Sequence, residues 1–305
     1  MAPEVTIVMP AYNAESTVHA AIESCLSQTM DDWELIVVDD ASTDATAEIV
    51  SSVEDDRILL LRQTQNRGPG YCRNVALEMT AGRWITVLDA DDLYHESRLG
   101  TLKEFGEREG GRGVYIDTIA KWPSFDAPPD PMLRATHTED ADGIKRWSLL
   151  DWLGHSRAGT PFYETRYLSA GNIRYPVTYR AEDTAFVVRL CRHWRLPIVQ
   201  LPQSLYVYRR EPRTWRGLSA ATELGHLEGH RTWLELEREI DPSTERDLHR
   251  AIRALRRRAY NRGMYLRTRR TALEDGPAAL LRLFAEHPGA IPATVGGIVK
   301  RLRGE

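Results

Sequence analysis

Lysine is almost missing from this chain of 305 residues. Only Lys103, Lys121, Lys145 and Lys300 occur, and the other 36 of its 40 basic residues are arginine. A GC-rich genome accounts for that bias without any function. The functional alternative is phosphate recognition, because the arginine fork matches phosphate oxygens. Cysteine is scarce as well. Cys25, Cys72 and Cys191 are odd in number, far apart and form no CxxC pair. That excludes a disulfide framework or cysteine zinc site and fits a reducing compartment. No stretch of ~18 apolar residues occurs, and the opening MAPEVTIVMPAYNAE lacks a basic region followed by a long apolar one. Neither a membrane span nor a signal peptide is therefore expected, and the expected location is cytoplasmic. Surplus positive charge is also absent. A net charge of -4 argues against a general nucleic-acid binder.

Hydrophobic residues make up 42% of the chain. That is enough for a sizeable core, as one large α/β domain plus an appendage or as two modest domains. Val5 to Met9 is a short apolar run stopped by Pro10 and reads as a buried strand. Val18, Ala21, Ile22, Cys25 and Leu26 give residues 15–28 helical spacing. Trp33 to Val38 reads as a second strand, followed by Asp39-Asp40. Ser42, Thr43 and Asp44 offer caps for a helix over 45–53. Arg57 to Arg62 reads as a third strand. A polar loop, Gln65 to Gly70, leads into a helix from about Tyr71 to Met79, and Gly82 precedes a fourth strand, Trp84 to Leu88.

This β-α-β-α-β-α-β order predicts an α/β fold with a mostly parallel sheet and helices on both faces. In such sheets the ligand crevice lies beyond the carboxyl ends of the strands. Pro10-Ala11-Tyr12-Asn13, Asp39-Asp40 and Asp89-Ala90-Asp91-Asp92 all fall there. Further on, residues 122–135 hold four prolines and read as a loop, 144–153 as helical and 181–195 as an amphipathic helix. Phe186, Val187, Leu190 and Trp194 share one side of that helix. Ile198 to Tyr208 reads as extended, and 219–240 and 243–270 as long helices rich in arginine and glutamate. The tail, 277–303, mixes leucines and Phe284 with Arg282, Lys300, Arg301 and Arg303. It fits a packed terminal helix, or a peripheral contact with the inner face of the membrane.

Each candidate site has a bland counterpart. Three carboxylates within four residues, Asp89, Asp91 and Asp92, repel one another unless a cation or partner is present. Hard oxygen ligands suit Mg²⁺ or Mn²⁺ completed by substrate phosphates. The bland reading is a solvated helix start, where aspartates are favoured. Asp39 and Asp40 can accept hydrogen bonds from a base or ribose, or simply form a turn and cap. Tyr12 can stack on a nucleobase or pack at the sheet edge. Asn66 to Arg73 resembles a phosphate-contacting loop with Arg67 and Arg73 as its charges. Gly68-Pro69-Gly70 is not a dinucleotide fingerprint, since the third glycine is missing. Glu182 or Asp183 could act as general base on an acceptor hydroxyl, or only decorate a helix start. His155, His193 and Trp194 lack metal-site spacing.

VTIVMPAYNAE, ELIVVDDASTDAT, QNRGPGYCRNVALEMTAGRWITVLDADD and YRAEDTAFVVRL, in that order, resemble the signatures of glycosyltransferase family 2. The resemblance covers about residues 4–110 and 162–210. It implies a GT-A fold, with residues 1–215 as the transferase domain (1–115 for the nucleotide sugar, 116–215 for the acceptor) and 216–305 as a helical extension. It implies an inverting enzyme that moves a sugar from a nucleotide-sugar donor, UDP by default, to a saccharide, lipid-linked saccharide or natural-product acceptor. Residue by residue, it places Tyr12, Pro10, Ala11 and Asn13 at the base, Asp40 on the uracil-type imide and Asp39 in support. Arg73 falls near the diphosphate. Asp89 and Asp91 take the DxD places: Asp91 as the Mg²⁺ or Mn²⁺ ligand, Asp89 as a ribose or water-mediated contact beside Ala90. Asp183 matches the catalytic base, while Glu182 and Asp92 support. Ala41 departs from the family's usual glycine, and Arg210 to Trp215 from its small, serine-rich stretch. Two alternatives stand beside this reading. ITVLDADD superficially matches the nucleophilic strand of haloacid-dehalogenase phosphotransferases, though that strand is usually first and Leu93 stands where Thr or Val is expected. A non-catalytic module on a decayed transferase is the other, and retention of Asp40, Asp91 and Asp183 together argues against it.

Overall fold

The computed structural model describes residues 2–122, 143–155, 160–169, 172–209 and 223–274, with Leu283 and Glu286. Most of the proline-rich loop, the Arg210 to Trp215 departure and nearly all of the 277–303 tail lie outside the described residues. The chain divides into two compact units, Met1–Val177 with Glu182–Trp215, and Thr178–Ala181 with Arg216–Glu305.

The first unit is built on a five-stranded sheet. In chain order it starts β1 (Val5–Ala11), α1 (Val18–Leu26), β2 (Trp33–Asp39), α2 (Thr46–Ser51), β3 (Ile58–Arg62), α3 (Pro69–Met79) and β4 (Trp84–Val87). β5 (Leu93–Tyr94), α4 (Arg98–Arg108), β6 (Val114–Ile116), β7 (Ile119–Trp122), β8 (Lys145–Trp147), α5 (Leu149–His155), β9 (Tyr163–Glu164), α6 (Arg166–Ser169), α7 (Glu182–Trp194), β10 (Ile198–Gln200) and β11 (Tyr206–Arg209) follow. The main sheet runs β3-β2-β1-β4-β9, with the first four strands parallel and β9 antiparallel. The central strands are buried on both faces, which is why they read as unbroken apolar runs. β3 lies at the edge and is only half-buried.

Two small sheets, β6-β10-β8 and β5-β11-β7, complete the unit. They account for most differences from the sequence pattern. Lys145–Trp147 is a strand rather than the start of a helix, because it pairs antiparallel with Ile198–Gln200. The extended stretch after Ile198 breaks into β10 and β11, which pair in different sheets. β1 also runs on through Pro10 to Ala11. Its β4 side is paired only from Val5 to Val8, so the missing proline N–H faces no unmet acceptor in that ladder.

In the second unit α8 (Glu223–Glu239) packs on α9 (Arg246–Glu274). Trp233, Leu236, Ile240, Leu248, Ile252 and Leu255 are buried there. Glu237 accepts from Arg256 and lies 3.7 Å from both Arg253 and His249. Among the described residues no helix is long and apolar enough to cross a membrane.

Candidate active site

The parallel register brings the ends of β1, β2 and β4 to one edge of the sheet, where the polar clusters lie. The loops after β1 and β2 are clipped together. The Asn13 amide donates to the Ser42 hydroxyl at 2.9 Å, and the Asn13 side-chain oxygen accepts from the Thr43 amide at 2.9 Å. Ala14 N–H donates to the Thr46 hydroxyl at 2.7 Å. Ser42 and Thr43 thus join loops rather than cap α2, whose N-cap is Ala45, and Asp44 accepts from the Thr46 amide at 3.0 Å just before the helix. Tyr12, on the tip of this clip, is 44% exposed, as a stacking ring requires and a packed one does not.

Asp39 and Asp40 are both buried, but they are used differently. Asp40 accepts from the Arg67 amide at 2.9 Å with one oxygen and from the Gly68 amide at 2.7 Å with the other. It therefore fixes the loop that opens α3. Asp39 accepts from the Ser42 amide through Oδ1 at 3.2 Å, while its buried Oδ2 has no hydrogen-bond partner. Ala41, the next residue, has φ +60°. That left-handed conformation costs an L residue about 1–2 kcal/mol and is free to glycine. Here the residue departs from the glycine while the backbone keeps glycine's conformation.

At the end of β4 the three aspartates are separated by their partners. Asp92 is buried. Its Oδ2 accepts from the Tyr206 hydroxyl at 2.7 Å and its Oδ1 from the Arg209 amide at 2.9 Å. Burial, then the Asp91 and Asp89 charges, push its pKa well above the usual carboxylate range. β11 supplies both partners because it pairs antiparallel with β5, immediately after Asp92. The Arg209 side chain also donates to the Asp91 carbonyl at 2.6 Å and the Thr17 carbonyl at 3.1 Å. Ala90 is buried between the acids, and Asp91 is half-buried.

Asp89 gives Oδ1 to Arg73 at 2.7 Å and keeps its side chain 38% exposed. Arg73 is buried and reaches the other way to Glu182, also at 2.7 Å. Burial works against the Arg73 charge, but Asp89 and Glu182 overcome it and raise its pKa. Burial pushes Glu182 up to about 7; Arg73 opposes the rise and Asp183 adds to it. Arg73 comes from α3, and a close approach lets it reach. A Cβ on Gly70 would sit 2.1 Å from the Pro176 carbonyl oxygen, so only glycine lets the start of α3 meet that segment. Asp183 follows Glu182 on α7 and is exposed; its Oδ1 accepts from the Thr184 amide at 2.6 Å.

The structure thus gathers Asp89, Arg73 and Glu182 into one bridge centred on buried Arg73, and Asp92, Tyr206 and Arg209 into another centred on buried Asp92. Sequence patterning had not paired Tyr206 or Arg209 with the acids. The signal was indirect: three acids in four residues require counter-charge. Pro10 lies in β1 and Ala11 at its end, with the Ala11 carbonyl accepting from the Asp40 amide at 2.8 Å. His193 is exposed, with its ring edge-on to Trp194, and the half-buried Trp194 donates its indole N–H to the Tyr167 carbonyl at 2.8 Å. Among the described residues no three His, Cys, Asp or Glu side chains gather as a metal cage. The acids at β4 instead offer one or two carboxylates, the number with which proteins hold Mg²⁺ when phosphates and water complete the shell.

Comparison with known proteins gives this arrangement a family. The model for glycosyl transferase family 2 matches residues 6–146. Over 117 residues the chain is 43% identical to the succinoglycan biosynthesis protein ExoO of Rhizobium meliloti, covering 38% of this chain and 33% of that protein. Over 105 residues it is 38% identical to the Escherichia coli UDP-Glc:alpha-D-GlcNAc-diphosphoundecaprenol beta-1,3-glucosyltransferase WfaP, covering 34% of this chain and 42% of that protein. The matches therefore span a third to two fifths of these curated relatives. Among solved structures, S. aureus TarS 1-349 with UDP-GlcNAc superposes with a TM-score of 0.63 at 20% identity, covering 95% of this chain and 81% of that one. The mannosyltransferase PcManGT from Pyrobaculum calidifontis, with GDP-Man and Mn2+, gives 0.61 at 17% identity, covering 99% and 88%. At such identities the likeness is one of fold, and that fold is GT-A. Residues 6–146, a little under half of the chain, thus match a glycosyl transferase family 2 domain.

Proposed function

We propose that this protein moves a sugar from a nucleotide-diphosphate sugar, UDP by preference, to an acceptor hydroxyl with inversion at the anomeric carbon. The acceptor class is a saccharide, lipid-linked saccharide or natural product. WfaP, whose name states a diphosphoundecaprenol-linked acceptor, favours the lipid-linked one. The observation that carries the proposal is the Arg73 bridge. It ties Asp89 at the end of β4 to Glu182, the residue before Asp183 on α7.

In this reading Tyr12 stacks on the base. The imide N–H needs a carboxylate oxygen, and the Asp39–Asp40 pair supplies it. Asp39 Oδ2 accepts no hydrogen bond, with Arg62 Nε 3.7 Å away, and each Asp40 oxygen keeps a lone pair beyond the amide it binds. Asp91 would hold Mn²⁺ or Mg²⁺, with Asp89 as a water-mediated or ribose contact. Such an ion would supply positive charge against the charge that grows on the leaving diphosphate. Arg73, with both ends on carboxylates, positions the acids. Asp183 accepts the proton of the acceptor hydroxyl as that oxygen attacks. Asp89, the nucleophile a phosphotransferase would need, is bound to Arg73 instead. Asp183→Asn should lower transfer by about 10²–10⁴-fold and leave nucleotide affinity unchanged. Full transfer activity in that variant, followed by product chromatography, would remove Asp183 from the role.

A further inference from the structure

α9 is strongly one-sided in charge. It carries ten arginines against two carboxylates, Asp247 and Glu274, in a chain whose net charge is -4. Arg246, Arg250, Arg253 and Arg257 are all exposed. Their i, i+4, i+7, i+11 spacing puts them within about 60° of one another and along about 16 Å of helix. Arg258 and Arg262, also exposed, lie outside that stripe, round the helix toward its buried face. Leu248, Ile252 and Leu255, which are buried, occupy the reverse face. Helix packing therefore fixes which side the arginines present.

Local pairing neutralises little of this. Arg250 lies 3.5 Å from Asp247 in a pair that is about three-quarters exposed on both sides. Exposed pairs of that kind contribute little. Arg253 lies 3.7 Å from Glu237, which already accepts from Arg256. From Arg246 to Met264 the only carboxylate of α9 is Asp247.

We infer that this stripe is a docking surface for a bilayer rich in anionic phospholipid. Four to eight basic residues on one amphipathic helix are the density that holds a protein at such a surface. The arginine fork matches lipid phosphate oxygens. A flat bilayer engages one charged face and leaves an otherwise acidic protein turned to water. A long nucleic acid meets those acidic surroundings as well. The inference concerns α9, not the 277–303 tail, and stands apart from the donor chemistry.

The test is flotation of the full chain with vesicles of phosphatidylglycerol and phosphatidylcholine, against vesicles of phosphatidylcholine alone. The protein should float only with the anionic vesicles, and less as salt rises. Replacing Arg246, Arg250, Arg253 and Arg257 together by Gln should weaken binding at least about tenfold, whereas the same four changed to Lys should retain it. UDP affinity should be unchanged in both, which separates this inference from the proposed activity. If the fourfold Gln variant melts early, the pairs Arg246/Arg250 and Arg253/Arg257 each give a graded loss. Three results would overturn the inference. One is wild-type flotation of the Gln variants. Another is loss only when Lys300, Arg301 and Arg303 become Gln. The last is a DNA duplex bound while anionic vesicles are not.

Discussion

An aspartate pair ends β2 and three aspartates follow β4, the two strands that flank β1 in this sheet, and the protein handles the two groups in opposite ways. At the end of β2, Asp40 is held by backbone amides of the loop before α3, and Arg62 comes only to 3.7 Å from its neighbour Asp39. At the end of β4, Asp92 and Asp89 are held by side chains and backbone from β11 and α3, and Arg73 extends that bonding to α7. Amides that belong to the fold can settle one buried acid. Three acids within four residues need countercharges from elsewhere in the chain. The first pocket is therefore built mostly by its own βαβ unit, and the second only when distant elements arrive.

The largest expected effect separates the two. Asp92→Ala leaves the Tyr206 hydroxyl and Arg209 amide without their acceptor in a buried place, and should cost about 3–4 kcal/mol in urea unfolding. Asp40→Ala should cost less, about 2 kcal/mol, because Arg67 is exposed and its amide can turn to water. Equal costs would remove the distinction. Next in size, Ala41→Gly relieves the left-handed alanine beside Asp40 and should stabilise by about 0.5–1 kcal/mol, after the entropy glycine adds to the unfolded chain. A loss of stability there would mean that the Ala41 methyl makes contacts worth more than its strain.

The smallest effect is a slope with pH. Burial raises Glu182 to about 7, above its ordinary 4.5, so the folded protein binds that proton more tightly than the unfolded chain does. The stability this group contributes is complete below about pH 4.5 and is lost as pH rises through 7. Glu182→Gln should flatten that part of the stability profile, measured by thermal unfolding across the range.

The same contrast explains how much was legible in the sequence. The strands β1, β2 and β4 were, because burial on both faces leaves continuous apolar runs. So was the place of Tyr12, Asp39, Asp40 and the β4 aspartates, because strand ends set the crevice edge. The partners were not. Tyr206 and Arg209 reach Asp92 across more than a hundred residues of chain, and no local period encodes that pairing. Lys145–Trp147 reads as helix from its own residues, and only β10 makes it a strand. Asn13 is a base-contact candidate in the sequence pattern, and in the fold it also staples two loops through Ser42 and Thr43.

The proposal turns on the β4 acids: with Asp89 held by Arg73 and Asp92 by Tyr206 and the Arg209 amide, Asp91 would hold a divalent ion against a nucleotide diphosphate. Calorimetric titration of UDP into the wild type and into Asp91→Ala, each with and without Mn²⁺, tests it most directly. The account predicts that Mn²⁺ strengthens UDP binding in the wild type and has no effect on it in Asp91→Ala. Unchanged, metal-dependent UDP affinity in Asp91→Ala would contradict it.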